Sequence, residues 1–136
     1  MIGYLLDTNV LSEVLKKSPS AAVLSRMAGL GRSELFTSSV CFMELRFGAA
    51  RHPRGDALWE RIRKEIEPLV SVLPLGYEEA TRAGEVLADL ERRGTPIGLE
   101  DVLIGSTALV HGHSIATRNV KHLGRIQGLV VENWWA

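Results

Sequence analysis

The chain has 136 residues, 46% of them apolar and 24% charged, and its sixteen basic and sixteen acidic side chains cancel to a formal net charge of zero. This balance fits one soluble globular domain spanning 1–136 and argues against indiscriminate binding of nucleic acid. The single cysteine, Cys41, excludes an internal disulfide and fits a reducing cytoplasm. No apolar run is long enough to span a membrane, and the N-terminus lacks the basic start of a signal peptide.

Residues 2–6 form a short apolar run that ends at Asp7, which predicts a buried parallel strand. Asp7, Thr8 and Asn9 offer cap chemistry for a helix carrying Val10, Leu11, Val14 and Leu15 on one face. Ser18, Pro19 and Ser20 break that helix and restart another, which runs to Gly29 or Gly31. A second strand is expected at 35–37, followed by a helix at 40–50 capped by Ser38 or Ser39. Pro53 and Gly55 mark a turn before a charged helix that reaches about Glu67, and Pro68 helps to end it. Then come a strand at 70–75, a helix at 78–93 stopped by Gly94, and a very apolar helix at 99–111 stopped near Gly112. Strands at 114–117 and 129–132 complete the pattern. Strands alternating with helices predict a three-layer α/β/α sandwich with a mostly parallel central sheet.

Charge is unevenly spread. Residues 1–64 carry ten Lys/Arg against six acids, residues 65–117 three against nine, and residues 118–136 three against one. The cluster Arg46, Arg51, Arg54, Arg61, Arg63 and Lys64 reads first as a solvated helix face and second as a stripe for phosphates.

Carboxylates in apolar company carry more information. Glu44 shares a helical row with Val40, Met43 and Phe47, and Asp101 shares one with Ile104, Gly105 and Ala108. A charge facing a core is costly unless it is paired or bound to a metal. Asp7 ends the first strand and Asn119 closely follows the strand at 114–117, so both belong at the carboxyl edge of a parallel sheet, where sites form. Each residue also has a plainer role open to it. Asp7 can cap a helix, Glu44 can pair with Arg46 or Arg51, Asp101 can complement a helix dipole, and Asn119 can stabilise a turn. Two carboxylates about 5 Å apart repel by roughly 3 kcal/mol at an effective dielectric near 20. Three converging acids therefore call for a basic partner, a raised pKa or a cation, and hard oxygen donors without sulfur favour Mg²⁺ or Mn²⁺. Zinc is disfavoured: His52, His111, His113 and His122 form no ligand-pair motif, and His111 and His113 read as surface residues at a helix end. Neither a nucleophile elbow nor a phosphate-binding loop is present. Lys16 and Lys17 read as a charge pair at a helix C-terminus.

Five segments in order, LLDTNVL at 5–11, SSVCFMELRFG at 38–48, IGLEDVLIG at 97–105, ATRNVKHL at 116–123 and VENW at 131–134, span nearly the whole chain. Together they resemble the PIN domain family, and most closely the VapC-like toxins of toxin–antitoxin pairs. The resemblance implies a toxin that is a metal-dependent endoribonuclease, with Asp7, Glu44 and Asp101 holding one or two Mg²⁺ or Mn²⁺ ions. It also implies that Thr8 positions a ligand or water and that Asn119 occupies the place of a fourth acidic or amide residue. Here that place is neutral, Gly105 stands where alanine is usual, and Leu123 stands where an aromatic is usual. Hydrolysis by water would leave a 5′-phosphate and a 3′-hydroxyl. On this reading Arg118 and Lys121 can grip the RNA backbone, exposed turn residues being the plainer alternative. The family further implies a homodimer and a VapB-like antitoxin that masks the site and links the complex to DNA. Trp59, Trp134 and Trp135 are the candidate partner anchors, with core packing as their plainer role. One rival is a PIN scaffold that binds RNA or protein without cutting. A second is phosphotransfer through Asp7, which would need an acid where Asn9 stands.

Overall fold

A computed structural model describes residues 3–136, so the expected strand residue Ile2 lies outside the described part. Five strands form one sheet: β1 Tyr4–Leu6, β2 Leu35–Ser38, β3 Ser71–Leu73, β4 Ser114–Ala116 and β5 Val131–Glu132. Their order is β3-β2-β1-β4-β5, and every pairing is parallel. The helices are α1 Thr8–Val14, α2 Ala21–Ala28, α3 Ser39–Ala50, α4 Gly55–Glu65, α5 Tyr77–Arg92, α6 Leu99–His111 and α7 Val120–Leu123. From β1 the chain steps outward through β2 to β3, then returns to the other side of β1 for β4 and β5. Right-handed crossovers in opposite directions put the two groups of helices on opposite faces, which gives three layers.

The ends of the elements follow from local chemistry. Ser20 and Ser38 accept hydrogen bonds from the backbone N–H groups of Val23 and Cys41, and so cap α2 and α3. Gly112 ends α6 at φ +70°, a left-handed conformation that favours glycine. The charged helix stops earlier than expected, at Glu65, because Pro68 belongs to a separate one-turn 3₁₀ segment at Glu67–Leu69. Helix α7 and a second 3₁₀ turn at Arg32–Glu34 were not anticipated, since three or four residues carry no readable period.

The core centres on Leu5, Leu6 and Ile115 of the two middle strands, with Val10, Leu11, Ile104 and Leu123 packed above and below. One expectation of exposure needs correction, and one open choice is decided. His113 is buried: its ring stacks on Phe36 at 4.2 Å, and its Nδ1 accepts the Gly3 backbone N–H at 2.9 Å. Trp134 is a core residue in edge contact with Tyr4, and not a free anchor. The basic stretch is largely occupied with its own neighbours. Arg61 pairs with Glu65, Arg63 with Glu67, Arg46 lies over Trp59 and Arg51 over Phe47. Among the described residues no helix is long and apolar enough to cross a membrane.

Candidate metal centre

The sheet brings its central strand ends together, and Asp7 sits at that edge. Its backbone N–H donates to the Ala116 carbonyl at 3.0 Å, which locks the end of β1 to the end of β4. Its side chain is 5% exposed. One carboxylate oxygen accepts the Thr8 backbone N–H at 2.8 Å, so Asp7 is also the cap of α1, and the other accepts the Thr117 hydroxyl at 2.7 Å.

Thr117 is fully buried, and the direction of its proton can be worked out. Its oxygen receives two N–H groups, the Asn119 backbone at 2.9 Å and Asn9 Nδ2 at 3.4 Å. Neither can accept, so the hydroxyl proton must go to Asp7. The Asn9 amide is oriented by its other end, where Oδ1 accepts the Arg118 backbone N–H at 3.1 Å. Thr117 and Asn9 were not singled out as separate site residues; the polar run Asp7-Thr8-Asn9 was the available signal for Asn9.

Glu44 reaches the same place from α3, where it accepts the Thr8 hydroxyl at 2.6 Å. The route differs from the expected one. Met43 and Phe47 are 54% and 60% exposed, and the core face of α3 is Val40, Cys41, Leu45 and Ala49. Glu44 therefore stands at the border of the buried face, not on a core stripe, and neither Arg46 nor Arg51 is its partner.

Asp101 occupies the first turn of α6, with Ile104, Gly105 and Ala108 buried along its row as expected. Its Oδ2 accepts from Asn119 Nδ2 at 3.0 Å and lies 3.6 Å from His122 Nδ1. Asn119 thus acts on an acid through a hydrogen bond. Its side chain makes no cap bond to α7.

The electrostatics are those of crowded like charges. Burial raises the Asp7 pKa above its ordinary value and Asp101 adds to the rise, while the bonds from Thr117 and Thr8 oppose it. Burial likewise raises Asp101, His122 opposes, and Glu44 and Glu100 push further upward. Cys41 lies beneath, its sulfur 4.0 Å from Asp7 Oδ1. Burial and the Asp7 charge keep its thiol protonated, so it offers no soft thiolate donor. Donor atoms of Asp7, Glu44 and Cys41 all lie within 4.8 Å of one another. Among the described residues neither Asp7 nor Glu44 makes an ion pair, and Lys16 is held instead by Glu13 at 2.9 Å. Converging carboxylates, two of them with raised pKa values, and hard oxygen donors with no Lys or Arg paired to them fit a divalent ion such as Mg²⁺ or Mn²⁺.

A cavity of about 410 Å³ opens over these acids, bordered also by Thr8, Asn9, Ser12, Glu13, Lys16, Arg118 and Asn119. Lys16 stands just past the end of α1, as expected of a helix-end charge, and also borders the site, while Glu13 is a buried acid that sequence reasoning missed. Lys121 is exposed on α7 and does not border the cavity.

The model of the PIN domain matches residues 4–128. The chain belongs to the PIN domain family. This PIN domain is 35% identical over 137 residues to a tRNA(fMet)-specific endonuclease VapC of Shigella flexneri, covering 98% of this chain and 99% of that one. It is 33% identical over 135 residues to VapC ribonuclease Y4jK of Sinorhizobium fredii, covering 96% of each. Among solved structures it superposes on a DNA-bound VapBC from Salmonella typhimurium with a TM-score of 0.89 at 30% identity, covering 98% of this chain and 99% of that one.

Proposed function

We propose that this single PIN domain, residues 1–136, is a cytoplasmic metal-dependent endoribonuclease and the toxin of a toxin–antitoxin pair. The observation that carries the reading is the open cavity lined by Asp7, Glu44 and Asp101, of which Asp7 and Glu44 have no ion-pair partner among the described residues and Asp101 has only the His122 imidazole. The printed names of the relatives, a ribonuclease and a tRNA endonuclease, support the same chemistry.

In this mechanism Asp7, Glu44 and Asp101 hold one or two Mg²⁺ or Mn²⁺ ions. When bound there, such an ion would lower the pKa of a water and offset charge on the phosphate. The chain's own groups keep the acids ready. The Thr8 hydroxyl turns Glu44 toward the cavity, the Thr117 hydroxyl favours the ionised form of Asp7 against its burial, and Asn119 orients Asp101. Arg118, bordering the cavity, contacts an RNA phosphate, and Lys121 follows the strand further out. Scission leaves a 5′-phosphate and a 3′-hydroxyl. The DNA-bound VapBC of Salmonella typhimurium supports a VapB-like antitoxin as partner. The same reading takes the toxin to be a homodimer that meets DNA only through that antitoxin.

Cleavage of a mixed RNA pool by antitoxin-free protein tests the reading, with Mg²⁺, with Mn²⁺, with EDTA and with Asp101→Asn. Cutting that needs metal and vanishes in the variant is expected. A folded protein that cuts nothing under any condition overturns the nuclease assignment in favour of a non-cutting scaffold.

A further inference from the structure

Arg118 has no carboxylate partner among the described residues, yet its side chain is not loose. Its guanidinium carbon lies 4.8 Å over the ring of Trp135. Its backbone is pinned by Asn9 at the same time. Trp135 is itself fixed at two points: its backbone N–H donates to Asn133 Oδ1 at 2.9 Å, and its indole Nε1 donates to Glu13 Oε1 at 3.3 Å. Glu13 is buried, and its other oxygen accepts the Ser20 backbone N–H at 2.8 Å. The same carboxylate holds Lys16. One buried acid therefore carries Lys16 directly and Arg118 by way of the indole, and both cations border the acid cavity.

The manner of holding matters. A guanidinium paired with a carboxylate spends its N–H donors on that partner. A guanidinium lying on an aromatic face is held by the ring's negative face, and its in-plane donors stay free for another anion. Such an arrangement fixes a cation and leaves it able to grip a phosphate.

We propose that Trp135 is a positioning residue that holds Arg118 at the mouth of the acid cavity with its donors free for an RNA phosphate. The inference rests on the ribonuclease reading and deepens it. It predicts that Trp135 acts on substrate binding and not on the metal.

The test is binding of fluorescein-labelled total transfer RNA across a range of KCl concentrations, in an Asp101→Asn background that cannot cut, with kcat and KM measured in the active protein. Trp135→Leu is expected to weaken binding and raise KM about threefold to tenfold, with kcat kept, and to lower the salt slope by about one phosphate contact. Trp135→Phe, which keeps an aromatic face, is expected to retain most of the affinity. Arg118→Gln should match Trp135→Leu, and the double variant should be no weaker than Arg118→Gln alone. Arg118→Lys keeps the charge and loses the guanidinium's contact with the ring, so it decides the matter if Trp135→Leu does not fold. A loss like that of Arg118→Gln supports the proposal, and wild-type affinity overturns it. Unchanged affinity and slope in folded Trp135→Leu, or additive losses in the double variant, overturn it too. A wild-type protein that neither binds nor cuts RNA overturns the ribonuclease reading and this inference with it. A wild-type protein that does both, with Trp135→Leu unaffected, overturns this inference alone.

Discussion

Thr117 shows how much one hydroxyl can decide. It donates to Asp7 and accepts two N–H groups, so every hydrogen-bonding direction it has is used inside the site. Thr117→Val keeps the shape and removes all three bonds. A hydrogen bond to a charged group contributes about 1.5–3 kcal/mol, which corresponds to a loss of roughly tenfold to a hundredfold in turnover. The sign of the pH effect follows from the same bond. Thr117 lowers the Asp7 pKa, so its removal raises that pKa and moves the acid limb of the pH–rate profile to higher pH. A profile that keeps its acid limb while turnover falls would mean that Thr117 supports the fold only. Two neighbouring amides also lose their acceptor, so a modest drop in melting temperature should accompany the change.

Helix α6 carries the next scale, because it must place Asp101 at the cavity while packing its middle against the end of the chain. Gly105 makes that approach possible. A Cβ there would stand 2.6 Å from Ile126 Cδ1, 3.2 Å from Leu123 Cδ1 and 3.3 Å from Leu129 Cδ2. Alanine is the better helix former by about 1 kcal/mol, so propensity alone predicts that Gly105→Ala stabilises. Ile126 and Leu123 are buried, however, and their methyl groups have little room to turn. Overpacking outweighs propensity here, and we expect a net loss of about 1–2 kcal/mol by denaturant titration, largely recovered when Ile126→Val is added. A more stable Gly105→Ala would show that the pocket yields freely. The same two helices mark what was legible in the sequence. The Asp101 row could be read because α6 is buried on nearly every side behind its first turn, so any row running back from the acid is a core row. The Glu44 row was misread because α3 is apolar nearly all round, so periodicity did not separate the buried face from the exposed Met43 and Phe47. His113 looked like a surface residue because only the parallel pairing of β1 with β4 reveals its bond to Gly3. Thr117, Glu13 and Lys16 join the site through partners distant in sequence or through the cavity itself, and no local pattern shows that.

At the scale of the whole molecule the site opposes the fold. Asp7 and Asp101 have folded-state pKa values above the ordinary aspartate value of 3.8, chiefly through burial and partly through neighbouring acids. Raised carboxylate pKa values mean that the folded state disfavours their charge. Their contribution to stability is therefore fully present below the unfolded pKa and is lost as pH rises through the folded values. Metal-free protein should accordingly give up stability at these groups as the pH rises above the ordinary aspartate range. A divalent cation binds only the ionised cluster, so it should restore stability at neutral pH and do nothing below that range. At a hundredfold excess over its dissociation constant a ligand adds about 2.7 kcal/mol, enough to raise the melting temperature of a domain this size by several degrees. Asp101→Asn removes one of the repelling charges and keeps an acceptor for Asn119. Without metal it should melt no lower than the wild type, and it should lose most of the rise that Mn²⁺ produces. Thermal melts of both proteins at pH 4 and pH 7, with and without Mn²⁺, read the two effects separately. A wild type indifferent to Mn²⁺ at pH 7 would remove the cation from the account of the cluster. A metal-free Asp101→Asn that melts well below the wild type would instead show that the carboxylate holds α6 in place, and that its charge is already compensated by His122 and Asn119.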